Sequence, residues 1–120
     1  MRWPQHFTPA DRIRKRREYQ QVYDRGRKIS SRSFTLFLLE NDLRRPRLGI
    51  TATRRVGGAV QRNRAKRLLR EWFRRAKREL PPVDLVVSVR SGIHLLSLEA
   101  LSREMDGKMR RAHPGTQARP

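Results

Sequence analysis

Hydrophobic positions along this chain fall into two spacings that alternate with each other. Tyr19, Val22 and Tyr23 stand at i, i+3 and i+4, one face of a helix over residues 16–25, and Gly26 follows as a C-terminal stop. No Ser, Thr, Asp or Asn caps its start. "RKIS" then reads as a short strand and "SFTLFLLE" as a longer one, rich in β-branched and aromatic residues. Alternation sends Phe34, Leu36 and Leu38 to one face and Thr35, Phe37 and Leu39 to the other, so both faces of this strand need cover. "NDLRRP" is a turn. "RLGITATRRV" is a third strand, ended by Gly57 and Gly58. Helical spacing returns over residues 59–80 and stops at Pro81 and Pro82. "VDLVVSVRS" is a buried type of strand, and Ser97 can cap a last helix whose stripe is Leu98, Leu101, Met105 and Met109.

The order is αβββαβα, which predicts an α+β fold: a single four-stranded sheet with helices packed on it. Residues 1–15 hold Pro4 and Pro9 and read as a basic, extended arm. Residues 16–109 form the one folded domain. Residues 110–120, ending "AHPGTQARP", are too poor in apolar side chains for a packed structure and read as a disordered basic tail. There is no repeat and no second domain.

Charge changes the picture. The 120 residues include 30 Lys and Arg against 11 Asp and Glu, a net charge of +19. Self-repulsion on that scale is relieved by a dense polyanion, which makes nucleic acid the leading partner class. Arg outnumbers Lys about fivefold, which suits forked contacts to phosphate but is equally the mark of a GC-rich coding sequence. With no cysteine, disulfides and thiolate metal sites are excluded. No apolar run approaches a membrane span and no signal-peptide core is present, so a cytoplasmic protein is expected.

The long helix carries nine of the 30 Lys and Arg residues. Ala65, Leu68, Leu69, Trp72, Phe73, Ala76 and Leu80 form its apolar stripe, which must face the sheet. On an ideal wheel Asn63, Arg67, Arg70, Arg74 and Arg78 lie opposite, with Lys66 and Lys77 nearby and Arg62 and Arg64 on the flanks. A run of charge is ordinarily a solvated face. Here only Glu71 and Glu79 are available as partners within the helix, and like charges at i, i+3 and i+4 repel, which favours a phosphate-facing surface. The Gly57-Gly58 turn either presents backbone N–H groups to a phosphate or simply permits the turn. Asn63 can bridge RNA groups or make a local cap-like bond.

Catalysis by the chain itself has little support. His6, His94 and His113 are scattered, and Asp11, Glu40, Asp42 and Asp84 are set apart with no two-metal cluster among them. No catalytic and no metal-ligating residue is expected.

"RRVGGAVQRNRAKRLLREWFR", centred on Arg62, Asn63 and Arg64, resembles the protein subunit of bacterial ribonuclease P. Upstream, "REYQQVYDRGRKISSRSFTLFLL" is similar to that family's aromatic helix, glycine and following strands, and "LGITATRRVG" to the strand before its RNR helix. Downstream, "DLVVSVRSG" is similar to its last strand. The likeness runs in order from about residue 13 to residue 103.

The resemblance implies the fold of the second domain of ribosomal protein S5, with a left-handed βαβ crossover where the general rule favours a right-handed one. It also implies a role as accessory in removing the 5′ leader of precursor tRNA. The ribonuclease P RNA subunit is then the catalyst, Mg²⁺ is held mainly by that RNA, and none is bound tightly by the protein. The expected partners are the RNA subunit and precursor tRNA, with no membrane and no protein partner required. Arg54, Arg55, Arg62, Asn63, Arg64, Lys66, Arg67, Arg70 and Arg74 would meet the RNA subunit. Tyr19, Tyr23, Thr35, Phe37 and Arg90 would line the leader cleft, although at helical spacing the two tyrosines alone read more simply as core. A ribosomal or RNA-assembly protein with no part in cleavage is the alternative.

Overall fold

A computed structural model describes residues 7–112. Helix α1 is Arg16–Arg25, strands β1, β2 and β3 are Arg27–Ser30, Phe34–Glu40 and Arg47–Thr51, helix α2 is Ala59–Ala76, strand β4 is Val83–Val89 and helix α3 is Leu98–Ala112. The strands form one sheet in the order β1-β2-β4-β3. β2 runs antiparallel to β1 and to β4, with Phe37 opposite Val86, whereas β3 and β4, the strands that α2 connects, are parallel, with Gly49 opposite Val86.

Alternation along the strands sorts the side chains to two faces. Phe34, Leu36 and Leu38 of β2, Leu48 of β3 and Leu85, Val87 and Val89 of β4 are buried with Leu68, Leu69, Trp72 and Phe73 of α2 and Leu101, Met105 and Met109 of α3. The other face carries a smaller core of Ile13, Val22 and Val86 beneath α1, flanked by Tyr19, Tyr23, Phe37 and Leu39. Both faces of β2 are therefore covered, one by two helices and one by a single short helix. Trp72 Nε1 donates to Asp106 Oδ1 at 3.0 Å and joins α2 to α3.

Ser97 caps α3, its Oγ accepting from Ala100 N–H at 3.0 Å. Helix α1 starts without a capping hydroxyl because Glu18 supplies the acceptor, taking the Lys15 N–H at 3.3 Å. Gly26 is not the left-handed terminator that its position suggests. Its φ is −80°, and its role is close approach: a Cβ there would stand 2.5 Å from Val22 O and 2.7 Å from Leu38 O, both backbone atoms.

Several boundaries differ from the sequence expectation. The third strand ends at Thr51, and the next residues form a 3-10 turn, Arg54–Val56, because Val56 turns inward to be buried. The long helix gives way at Ala76 to a 3-10 turn, Lys77–Glu79, ahead of the two prolines. α3 continues through Ala112, whose side chain is buried and whose carbonyl accepts from Arg27 Nη1 at 2.6 Å, so the domain extends past residue 109.

The largest correction concerns the N-terminal segment. Residues 7–15 are not a free arm. Ile13 is buried, its N–H donates to Leu48 O at 3.0 Å on the outer edge of β3, and Arg12 bridges to Leu48. Asp11 is buried in an ion pair with Lys77, 2.8 Å apart, and Phe7 packs edge-on against Phe73 with centroids 5.7 Å apart. The segment closes one exposed edge of the sheet. The rest of the expected arm and the stretch from residue 113 onward lie outside the described residues.

Candidate nucleic-acid interface

The face beneath α1 gathers the expected cleft residues. Register places Thr35 opposite Ser88, whose other neighbour is Thr51, and Phe37 opposite Val86, whose other neighbour is Gly49. Tyr23 descends from α1 onto this surface, its ring edge-on to Phe37 with centroids 4.9 Å apart and its hydroxyl 2.7 Å from Thr51 Oγ1. Lys28 Nζ stands 6.0 Å from the Phe37 ring centroid, and Arg90 donates to Thr35 Oγ1 at 3.1 Å. Tyr23, Phe37, Thr35 and Arg90 thus share one surface, with Lys28 and Thr51 as neighbours that sequence reasoning did not single out. Both rings are half-buried. They rest on Val22 and Val86 and still leave part of each ring exposed, so core packing and an open ring face coexist at Tyr23.

Tyr19 lies one helical turn away and is differently placed. Its ring covers Gly49 so closely that a Cβ there would meet it at 2.8 Å. Burial pushes the Tyr19 phenol above its ordinary pKa, opposed by the Ile50 backbone and by the guanidiniums of Arg12 and Arg70. It faces the junction with α2 rather than the Phe37 stack.

On α2 the expected cationic ridge is only partly a ridge. Arg54, Arg55, Asn63, Arg64 and Arg67 are exposed. Arg64 Nε donates to His94 O at 2.8 Å, and Arg62 Nη1 to Gly57 O at 3.1 Å, so these two also brace the turns around them. The Gly57 N–H is already bonded to Arg54 O at 3.1 Å and is not free for phosphate, while its φ of 139° shows what glycine supplies there. Arg74 is not an unpaired cation: it makes a two-pronged ion pair with Glu71, which also receives Arg75 at 3.3 Å. The Arg74 hydrogen bonds hold the Glu71 carboxyl below the usual carboxylate range. Arg70 does not project into solvent. The N-terminal segment packs along this flank of the helix, and Arg70 lies 5.9 Å from the Phe7 ring centroid, half-buried and with its pKa lowered by burial and by Arg12. A wheel gives an angle around the helix, not what else packs there.

Among the described residues no three His, Asp or Glu side chains are grouped so as to hold a metal ion. Asp84 is closer to other acids than expected, sharing a recess of about 600 Å³ with Glu18, Glu40 and Asp42. It is occupied by Arg47, at 2.8 and 3.0 Å, and by Asn41 at 2.8 Å. Among the described residues no helix is long and apolar enough to cross a membrane.

A small α+β domain with an arginine-studded helix on one face of its sheet and half-exposed aromatics among cations on the other defines a class: RNA-binding proteins that read backbone and unstacked bases. The family is equally definite. Residues 7–113 match the family model described as Ribonuclease P. The ribonuclease P protein component of Syntrophus aciditrophicus is 42% identical over 97 residues, covering 80% of this chain and 82% of the relative. That of Syntrophobacter fumaroxidans is 36% identical over 119 residues, covering 92% of this chain and all of the relative. The solved RNase P protein of Staphylococcus aureus superposes with a TM-score of 0.79 at 28% identity, covering 87% of this chain and 96% of that one. That of Thermotoga maritima, solved with 1-(4-fluorophenyl)-2-thiourea, gives 0.76 at 30% identity over 83% of this chain and 98% of that one. The chain belongs to the ribonuclease P family, as a protein component of that enzyme.

Proposed function

We propose that the chain is an accessory rather than a catalyst within ribonuclease P. The exposed cations of α2 and of the Arg54–Val56 turn dock on the RNA subunit. Tyr23 and Phe37 hold the single-stranded 5′ leader of precursor tRNA, with Thr35 and Arg90 beside them. Stacking suits a leader that must be held with little regard to sequence, because every base offers a π-face, at about 1–3 kcal/mol per base. In this reading hydrolysis belongs to the RNA, and so does Mg²⁺. The setting is the cytoplasm, where precursor tRNA is made, with no further protein required.

The observation that supports this reading is the pairing of two chemically different surfaces on the two sides of one sheet, one of charge and one of aromatic rings. Adding the purified chain to a bacterial ribonuclease P RNA at low Mg²⁺ tests it. Turnover and precursor affinity should both rise, while protein freed of RNA by nuclease should cleave nothing. Cleavage by that RNA-free protein would overturn the accessory role.

A further inference from the structure

A cavity of about 350 Å³ opens where the N-terminal segment, α1, the outer edge of β3 and α2 meet. Arg12, Arg14, Lys66 and Arg70 line it, with the Tyr19 ring and Ile50 among its walls and no carboxylate. Among the described residues none of these four cations makes an ion pair. Two of them are placed there by the fold: the Arg12 backbone bridges to Leu48, beside the Ile13 N–H bond to the same residue, and Arg70 packs against the Phe7 ring, which Phe73 supports. Arg12 and Arg70 act on each other and on the same phenol. Like charges gathered in one cavity, with Arg70 among them partly desolvated, repel one another in the empty site, and an anion between them reverses the sign of that interaction.

We propose that this cavity is a phosphodiester-binding site, and that its occupant is a backbone phosphate of the precursor leader. Three guanidinium forks and an ammonium match a phosphate's tetrahedral oxygens better than a planar carboxylate. The leader is favoured over the RNA subunit because Tyr19 forms a wall of the cavity and stands four residues before Tyr23 on one face of α1. A strand stacked at Tyr23 passes over Tyr19 into the cavity without crossing the exposed ridge. The site rests on the leader-holding reading and adds a residue from outside both faces, Arg12.

The test removes charge from the RNA, so the protein's fold is untouched. Precursor tRNAs carrying one neutral methylphosphonate linkage at successive leader positions are titrated against the assembled ribonucleoprotein. With the wild-type chain, one linkage should stand out, its neutralisation weakening binding roughly tenfold or more, the size of a lost charge-assisted hydrogen bond. With Arg12→Gln that extra loss should vanish. It should persist with Arg103→Gln, an exposed α3 arginine serving as a charge-count control. If no linkage stands out, or the same one stands out equally in Arg12→Gln, the site is refuted. If Arg12→Gln instead weakens affinity for the RNA subunit and spares the leader, the assigned occupant is wrong. Should the wild type bind precursor and mature tRNA equally, the leader-holding reading fails on its own account.

Discussion

Two arginines three positions apart on α2 make different demands on the fold. Arg67 is exposed and unpaired among the described residues, so Arg67→Ala should weaken association with the RNA subunit while stability stays within about 0.5 kcal/mol, the usual range for a surface change. Arg70 gains from its position over Phe7, a contact worth about 0.5–1 kcal/mol, but bears desolvation and repulsion from Arg12. Arg70→Met keeps the apolar stem and removes the charge, so the thermal midpoint should hold or rise while RNA affinity falls. A lowered midpoint would show that the cation itself supports the fold. Gly49→Ala probes the neighbouring contact: its Cβ must displace the Tyr19 ring, lowering both stability and precursor affinity. In a Tyr19→Ala background the same change should cost almost nothing, and equal cost in both backgrounds would mean the strand, not the ring, requires glycine.

Helix α3 is anchored to the turn between β1 and β2 through Glu104, which accepts from the Ser31 and Ser33 hydroxyls and from the Ser33 N–H at 3.0 Å. Burial pushes this carboxyl up, but the serine hydrogen bonds outweigh it and hold the pKa below the ordinary 4.5. A folded pKa below the unfolded one gives stability that is complete above the unfolded value and is lost as pH falls through the folded one. Glu104→Gln should therefore cost about 1–3 kcal/mol at pH 7, with the gap to wild type closing as pH falls below the ordinary carboxylate range and through the lowered folded-state pKa. Urea unfolding at several pH values checks this, and a gap independent of pH would assign the loss to packing. Little of this anchor was legible in the sequence, because Glu104 meets Ser31 and Ser33 across more than seventy residues. Asp11 and Lys77, 66 residues apart, were no more legible. What was legible obeys local periods. The two-residue period of β2 placed Phe37 and Thr35 on the face where Tyr23 and Arg90 join them, and the helical stripe placed Leu68, Leu69, Trp72 and Phe73 in the core. Arg70 and the N-terminal segment were misread together, since a segment without period gives no sign that it packs on a helix flank.

At the scale of the whole molecule, the net charge of +19 and the aromatic cleft should be separable by their response to salt. Each phosphate neutralised releases counterions, so the logarithm of affinity falls with the logarithm of salt concentration, with a slope of about −0.7 per phosphate on a single strand. Stacking neutralises no phosphate. Tyr23→Leu and Phe37→Leu keep apolar bulk over Val22 and Val86 while removing the π-face, so each should weaken binding of leader-bearing precursor with the slope nearly unchanged. Mature tRNA has no leader to stack and should be almost indifferent to either change. Arg67→Ala should do the opposite, making the slope of RNA-subunit binding shallower. The measurement is a set of salt titrations: the assembled ribonucleoprotein with precursor and mature tRNA for the wild type and each aromatic variant, and RNA subunit with protein for Arg67→Ala. If the aromatic variants lost equal affinity for both substrates, Tyr23 and Phe37 would be core or docking residues. The charge would then have to account for leader binding alone.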